Sequence, residues 1–168
     1  MKSFKVCILG DFAVGKTSLV RRFVDQQFSE RYLTTVGVKI DTKELELAAG
    51  RAKLVVWDIA GADELDALRS NYVRGAAGFL VVADLTRADT LTTAKKLIDE
   101  VAGQFGPMPC CLLANKLDLE DEREIDDMDM TAPADIPIFS TSAKTGEQVE
   151  RAFEKLGQLI CEPGRSAG

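Results

Sequence analysis

Nearly continuous apolar runs alternate along the chain with segments in which apolar residues recur at helical spacing. The runs at 4–9, 78–84 and 109–114 carry few polar residues. Such runs are typical of strands that are buried on both faces of a parallel sheet. The segment 39–47 instead alternates apolar and polar residues. This alternation is typical of a strand that buries one face or lies at a sheet edge. These patterns predict four strands.

Two more strands complete the predicted sheet. Residues 48–51 predict a turn into a strand at 53–58, which would pair with 39–47 in an antiparallel hairpin. A short apolar segment at 136–139 predicts the sixth strand.

Three helices are predicted from apolar residues at helical spacing. They cover 18–24, 91–105 and 147–160, and Asp89 or Thr90 is expected to cap the second helix. Because strands and helices alternate, we expect a three-layer α/β protein. Its sheet would be mostly parallel and six-stranded, with one antiparallel edge strand and helices on both faces. Ligands of such sheets bind beyond the carboxyl ends of the strands.

Composition narrows the classes of function. The 168 residues include no histidine, which excludes an imidazole base and a histidine-ligated metal. The net charge of −6 argues against a nucleic-acid surface and against attraction to anionic membranes. The cysteines lack metal-ligand spacing, and we expect free thiols in a reducing compartment; they are Cys7, Cys110, Cys111 and Cys161. No signal peptide or long apolar span is present, so we expect a cytoplasmic protein that meets membranes only through partners.

The glycine-rich turn after the first strand carries the clearest chemistry. Residues 10–17 fit the pattern Gly-x-x-x-x-Gly-Lys-Ser/Thr, with a predicted strand before them and a predicted helix after them. Glycines let successive backbone N–H groups surround a phosphate at the positive end of the helix. Lys16 can reach the outer phosphates, and the Thr17 hydroxyl can ligate a nucleotide-bound Mg²⁺. The alternative is an ordinary glycine turn between a core strand and a helix.

Two later segments point to guanine. The first is Asn115-Lys116-Leu117-Asp118, at the end of a predicted buried strand. A carboxylate edge-on to guanine accepts hydrogen bonds from two base nitrogens, and adenine lacks that donor pair. The Lys116 stem can lie along the base while its ammonium braces the phosphate loop. The second segment, Ser142-Ala143-Lys144, can offer a backbone N–H to the guanine oxygen.

The segment 120–135 is crowded with acids and contains one base, Arg123. We expect an acidic solvated loop or a short frayed helix. A calcium site is the alternative, but the segment lacks the central glycine and the spacing of a calcium loop.

Taken together, these motifs resemble those of the small GTPases of the Ras superfamily, over nearly the whole chain. The likeness is strongest to the Rab branch, with a phosphate loop similar to that of Rho proteins. Rab-like phrases are Thr35-Val36-Gly37-Val38, Trp57-Asp58-Ile59-Ala60-Gly61 and Tyr72-Val73-Arg74-Gly75-Ala76. The resemblance implies the fold of a P-loop NTPase, here a G domain over residues 1–162 followed by a short flexible tail at 163–168.

The resemblance also implies roles for matching residues. Thr17, Thr35 and Asp58 would hold Mg²⁺, Asp58 through water, and the catalytic set would be Lys16, Thr35 and Gly61. Residues expected to contact GTP or GDP are Phe12, Ala13, Val14, Gly15, Lys16, Thr17, Ser18, Phe28, Tyr32, Thr35, Gly61, Asn115, Lys116, Asp118, Ser142, Ala143 and Lys144. Phe28 would pack on the guanine ring, and Tyr32 could cover the phosphates. Effectors, exchange factors and activating proteins would bind the segments near 28–38 and 60–72, and we expect a monomer.

The sequence departs from the family at four places. Ala62 replaces the glutamine that orients the attacking water, and Phe12 places a phenyl ring where the family has a small side chain. Ile40 replaces a phenylalanine that would join Trp57 and Tyr72 in an effector-facing cluster. The carboxyl end at 161–168 has no prenylation signal, which fits a trimmed tail or a divergent Rab-like protein, bacterial ones included, that acts without a lipid.

Three functions therefore remain open. The first is a GTP-dependent switch that hydrolyses GTP slowly. The second is a nucleotide-loaded binding module with vestigial hydrolysis, which Ala62 and Phe12 favour. The third is a small ATP-dependent kinase, which would leave the segment 115–118 unexplained.

Overall fold

The computed structural model describes residues 1–24, 31–32, 38–59, 71–131 and 135–162. Its strands are β1 (Lys2–Gly10), β2 (Arg31–Tyr32), β3 (Val38–Leu47), β4 (Gly50–Ile59), β5 (Gly78–Asp84), β6 (Cys110–Asn115) and β7 (Ile138–Ser140). Its α-helices are α1 (Lys16–Val24), α2 (Ala88–Phe105) and α3 (Val149–Cys161). Single 3₁₀ turns cover Asn71–Val73, Glu120–Glu122 and Asp127–Asp129.

The strands form one sheet in the order β2-β3-β4-β1-β5-β6-β7. The successive pairs β4–β1, β1–β5, β5–β6 and β6–β7 are parallel. β3 runs antiparallel to β4, as the hairpin pattern predicts. The predicted six-stranded, mostly parallel sheet is confirmed, and the two residues of β2 add a seventh strand outside β3. A two-residue strand is too short to carry a hydrophobic period, so the sequence did not reveal it.

Alternating residues of the central strands feed two separate cores. Cys7, Leu9, Phe79 and Val81 pack on the side covered by α2. Their neighbours along the same strands, including Ile8, pack on the side covered by α1 and α3. Because successive side chains of a strand point to opposite faces, runs that are apolar throughout require cover on both sides. The predicted three layers are therefore confirmed.

The start of α2 differs from the prediction. The helix α2 begins at Ala88, so neither Asp89 nor Thr90 is its cap; Arg87 stands at the N-cap position and makes no cap hydrogen bond with its side chain. Thr90 is instead buried, and its hydroxyl accepts a hydrogen bond from the Asp84 N–H at 2.8 Å. This bond ties the end of β5 to the first turn of α2, a tertiary role that capping preference cannot anticipate.

The acidic segment forms two isolated 3₁₀ turns whose acids are exposed or half-buried, as expected of a solvated segment. All four cysteines are free thiols, and the three in apolar strands are buried, as predicted. Among the described residues, no helix combines the length and the apolar character needed to cross a bilayer.

The carboxyl ends of β1, β5 and β6 lie side by side. Register pairs Gly10 with Val82 and Asp84 with Asn115. Ligands of parallel sheets bind at this edge. The glycine loop and the segment 115–118 both begin there, so the topology brings the two predicted recognition segments together.

Candidate nucleotide site

The phosphate loop connects β1 to α1, and its two end glycines are required by close contacts. A Cβ on Gly10 would lie 2.6 Å from the Val82 carbonyl oxygen. A Cβ on Gly15 would lie 2.3 Å from the Asn115 side-chain nitrogen, and Gly15 has a φ of +100°. Only glycine fits such contacts and such a conformation without displacing neighbours. These two contacts explain why both positions of the motif require glycine in this chain.

Two other residues at the site adopt left-handed backbone conformations. Ala13 has a φ of 61° in the phosphate loop, and Lys116 has a φ of 71° directly after β6. Such conformations are uncommon for residues with a side chain and cluster at functional sites. Ala13 lies in the turn between β1 and α1.

Asn115 joins the phosphate loop to the other recognition segments. It is buried, and its side-chain nitrogen donates to the Val14 carbonyl oxygen at 3.0 Å. Its side-chain oxygen accepts from the Thr141 hydroxyl and from the Ala143 N–H, both at 3.2 Å. One amide thus fixes three segments that are distant in sequence, and every polar atom of that side chain is satisfied.

Asp118 and Ser142 lie together, as the sequence predicts for a guanine site. The Ser142 hydroxyl donates to Asp118 Oδ1 at 2.7 Å, and Ser142 also accepts from the Thr145 N–H at 3.1 Å. Asp118 is exposed, while Ser142 is buried. A buried hydroxyl therefore orients an accessible carboxylate, which is the arrangement needed to present an acceptor to a ligand.

The loop 143–144 is held from the other side by α1. Arg22 Nε donates to the Ala143 carbonyl oxygen at 2.9 Å, and Arg22 Nη2 donates to the Lys144 carbonyl oxygen. These two bonds attach the loop to α1. Lys144 itself is exposed. No motif in the sequence points to this role of Arg22.

Thr17 and Asp58 form the candidate magnesium position. The Thr17 hydroxyl donates to Asp58 Oδ2 at 2.5 Å. Asp58 is 1% exposed, and its other oxygen, Oδ1, has no hydrogen-bond partner within the described ranges. A hydroxyl and a buried carboxylate with an unsatisfied oxygen are hard oxygen ligands, and Mg²⁺ is usually bound by one or two such groups together with substrate phosphates. The residues present fit that ion.

Lys16 is the first residue of α1, and its side chain turns back over the loop. Its ammonium donates to the Gly10 carbonyl oxygen at 3.3 Å. The positive charge therefore lies inside the loop, at the amino-terminal end of α1, where an anion is favoured. Ser18, two positions further along, is exposed.

Among the described residues, the Lys116 ammonium pairs with Asp84 and not with a group of the phosphate loop. This ammonium lies 2.8 Å from Asp84 Oδ2, and Arg87 Nε lies 3.2 Å from the same oxygen. Arg87 Nη2 then donates to the Phe12 carbonyl oxygen at 2.5 Å. The predicted bracing of the loop by Lys116 thus runs through Asp84 and Arg87.

Asp84 is the centre of this cluster. Burial raises the pKa of its carboxyl, but hydrogen bonds from Lys116, Thr86 and Arg87 outweigh that effect and hold the pKa below its ordinary value. In the sequence, Asp84 is recognisable only as the end of a strand, and no motif includes Arg87. The available clue was an acidic residue that ends a buried strand beside the strand leading into the phosphate loop.

Several predicted residues lie outside the described part of the chain. They are Phe28, Thr35 and Gly61, together with Ala62; for Tyr32 the backbone is described, in β2, and the side chain is not. Their roles stay predictions.

Trp57 on β4 and Tyr72 in the 3₁₀ turn Asn71–Val73 form an aromatic pair. The ring centroids of Trp57 and Tyr72 are 6.4 Å apart and the planes are tilted by 38°. Ile40 is directly opposite Trp57 in the register of β3 and β4. Ile40 thus lies beside Trp57, at the position where the family's phenylalanine would be expected.

Comparison with known proteins agrees with this geometry. Residues 5–162 match the family model described as Ras family. The chain is 35% identical over 160 residues to Ras-related protein Rab-1C of Dictyostelium discoideum, covering 93% of this chain and 80% of the relative. It is 34% identical over 164 residues to Ras-related protein Rab-21 of Homo sapiens, covering 95% of this chain and 73% of the relative. The family match spans the phosphate loop, the 115–118 segment and the 142–144 loop, and the chain belongs to the Ras family of small GTP-binding proteins.

Proposed function

We propose that this protein is a GTP-binding molecular switch that hydrolyses GTP slowly and with the help of Mg²⁺. The observation that carries the proposal is the position of Asp118. Its carboxylate is accessible, is oriented by Ser142, and belongs to a segment that Asn115 links to the phosphate loop.

Guanine selection would rest on Asp118. Guanine offers a ring N–H and an exocyclic amine to the carboxylate, whereas adenine offers no such pair and would leave the charge unpaired. The Ala143 N–H donates to Asn115 Oδ1 at 3.2 Å, and it would share or exchange this bond to donate to the guanine oxygen. The aliphatic part of Lys116 would lie along the base.

Phosphate binding would rest on the loop between β1 and α1. Its amides, from Ala13 to Ser18, would donate to the phosphate oxygens, and the start of α1 favours their negative charge. Lys16 would exchange its contact with the Gly10 carbonyl for contacts with the outer phosphates. Mg²⁺, when bound, would neutralise charge on the phosphates; Thr17, Thr35 and, through water, Asp58 would hold it.

Slow hydrolysis follows from Ala62 and Phe12. A methyl group at position 62 cannot orient the attacking water as a glutamine amide does. Phe12 is 84% exposed at the tip of the loop, where it would crowd an arginine supplied by an activating protein. Such an arginine increases the rate by about 10³–10⁵ in well-studied cases. Lys16, Thr35 and Gly61 would supply what remains of the chemistry.

Switching would depend on Thr35 and Gly61, whose contacts exist only while a γ-phosphate is bound. The segments near 28–38 and 60–72 would be ordered in that state and offered to effectors, exchange factors and activating proteins. Ile40 and Trp57 on the sheet, with Tyr72 in the 3₁₀ turn Asn71–Val73, would belong to the same surface. The free thiols are consistent with action in the cytoplasm. The protein would act as a monomer.

The second candidate is a nucleotide-loaded binding module whose hydrolysis is vestigial. Ala62 and the exposed Phe12 favour it, and the intact Lys16, Thr17 and Asp58 favour the first. Single-turnover phosphate release separates the two candidates: phosphate release that Mg²⁺ accelerates supports a switch, and its absence supports the module.

Base selectivity is tested by equilibrium titration with fluorescent GTP and ATP. We expect a strong preference for GTP, lost in Asp118→Ala and kept in Asp99→Ala, which removes an exposed acid on α2, outside the predicted recognition segments. Equal affinity for both nucleotides in the unaltered protein would overturn the proposal. Tighter binding of ATP would favour a kinase instead.

A further inference from the structure

Arginine is not a favoured residue at the helix position that Arg87 occupies. It stands at the N-cap of α2, where Ser, Thr, Asp and Asn are favoured, and it makes no capping hydrogen bond. The first amide of the helix, that of Ala88, donates instead to Glu124 Oε1 at 3.0 Å. The helix start is thus satisfied by another element, and the Arg87 side chain is directed elsewhere.

The guanidinium of Arg87 bridges two parts of the nucleotide site. Its Nε contacts Asp84 Oδ2 at 3.2 Å and its Nη2 donates to the Phe12 carbonyl oxygen at 2.5 Å. The planar fork of a guanidinium can make both bonds at once, and a lysine ammonium on one flexible stem cannot place two donors in this way.

The carboxylate that orients Arg87 is itself firmly anchored. Asp84 has a side chain that is 1% exposed, and its Oδ1 accepts from the Thr86 N–H at 2.9 Å and from the Thr86 hydroxyl at 2.7 Å. Its Oδ2 also contacts the Lys116 ammonium at 2.8 Å. Arg87 is therefore held at a defined position between Lys116 and Phe12.

The tip of the phosphate loop has few other attachments. The Phe12 ring is 84% exposed, so ring packing does little to fix the residue. The Phe12 N–H donates to Asp11 Oδ1 at 2.8 Å, and Asp11 Oδ2 accepts a longer bond of 3.4 Å from the Thr93 hydroxyl on α2. The loop tip is thus connected to α2 and its N-cap by two bonds, from Arg87 and from Thr93, and the bond from Arg87 is the shorter.

We infer that Arg87 is a positioning residue of the nucleotide site, which holds the tip of the phosphate loop at Phe12 and ties it through Asp84 to Lys116. The inference rests on the proposed function, because it assigns Arg87 to the site that would bind GTP. The turn between β5 and α2 thereby becomes a third structural support of nucleotide binding, beside the phosphate loop and the 115–118 segment. Loss of Arg87 leaves Asp84 paired with Lys116 but frees the loop tip.

The test measures dissociation of fluorescent GDP and competition by GTP, GDP and GMP, all with Mg²⁺, for Arg87→Ala, Arg87→Lys and Arg51→Ala. Arg51 is the matched control, since it is an exposed, ion-paired arginine on the β3–β4 hairpin near the opposite end of the sheet. We expect GDP to dissociate about fivefold or more faster from Arg87→Ala, with Arg87→Lys in between and Arg51→Ala unchanged. We also expect GTP and GDP to lose more affinity than GMP, because the loop holds the outer phosphates.

Two results would overturn the role of Arg87 while leaving the proposed function intact. One is the same GDP dissociation rate in Arg87→Ala as in Arg51→Ala, and the other is an equal loss for GMP, GDP and GTP, which would indicate general loosening of the fold. If Arg87→Ala does not fold by circular dichroism, Arg87→Lys and Arg87→Gln carry the same comparison. Failure of the unaltered protein to bind any guanine nucleotide would overturn both the proposed function and this inference.

Discussion

The side-chain amide of Asn115 donates to the carbonyl oxygen of Val14 at 3.0 Å, although 101 positions separate the two residues in sequence. This bond connects the phosphate loop to the segment that carries Asp118. Because the same side chain also accepts from Thr141 and Ala143, the geometry of three loops depends on one buried amide.

Asn115→Ala is expected to weaken both the fold and nucleotide binding. It leaves the Val14 carbonyl, the Thr141 hydroxyl and the Ala143 N–H without their partner, so we expect a loss of about 2–3 kcal/mol in the free energy of unfolding. GDP should also dissociate faster, since the loops are no longer coupled. Urea unfolding followed by Trp57 fluorescence, together with GDP dissociation, checks this. The control Gln158→Ala truncates an exposed amide on α3 and should change neither quantity.

Gly15→Ala should abolish tight nucleotide binding. The added Cβ would lie 2.3 Å from the Asn115 nitrogen, and the φ of +100° is strained for alanine. Either Asn115 moves and loses its bond to Val14, or the loop opens. The matched control is Gly103→Ala, at an exposed position of α2 where a Cβ meets nothing within 4 Å. That variant should be more stable by about 0.5–1 kcal/mol, and equal behaviour of the two variants would contradict the packing argument.

Ala62→Gln should accelerate hydrolysis. An amide at this position can orient the attacking water, and we expect a gain of roughly tenfold to a hundredfold in the single-turnover rate of GTP hydrolysis. Ala62→Met has a side chain of similar length without the amide and should leave the rate unchanged. If the glutamine variant gains nothing, the deficit lies elsewhere, with Phe12 as the next position to replace.

The buried thiols should resist modification in the native protein. Burial raises the pKa of Cys7, Cys110 and Cys111 to about 12, so few thiolates form at pH 8. Burial also raises the pKa of Cys161, but this residue is partly exposed at the end of α3. Titration with a disulfide reagent at pH 8 should label one thiol quickly and three only after denaturation, and Cys161→Ser should remove the fast phase. Rapid labelling of two or more thiols would contradict the packing of the strands.

Asp84 should stabilise the fold in a pH-dependent way. Burial raises the pKa of its carboxyl, but bonds from Lys116, Thr86 and Arg87 outweigh this, so the folded pKa is below the ordinary value of 3.8. The stabilisation is therefore complete above the unfolded pKa and is lost as pH falls through the folded pKa. The difference in unfolding free energy between the unaltered protein and Asp84→Asn should be constant above about pH 5 and should shrink below about pH 4. A difference that grew on acidification would mean that the carboxylate destabilises the fold.

Local patterns in the sequence determined the layers of the sheet and the candidate residues of the site. The continuous apolar runs required cover on both faces, and the alternation at 39–47 identified the antiparallel strand, because side-chain period and burial are linked residue by residue. Lys16, Thr17, Asn115 and Asp118 were found because their motifs follow strand ends.

Only the tertiary structure decided how these motifs are connected. Asp84 and Arg87 belong to no motif, and their contacts with Lys116 and Phe12 depend on the order in which strands are placed in the sheet. The same is true of Arg22, which reaches a loop 121 positions away. Such contacts arise from the packing of distant elements, and no local period or spacing in the sequence records which side chains packing will bring within hydrogen-bond distance.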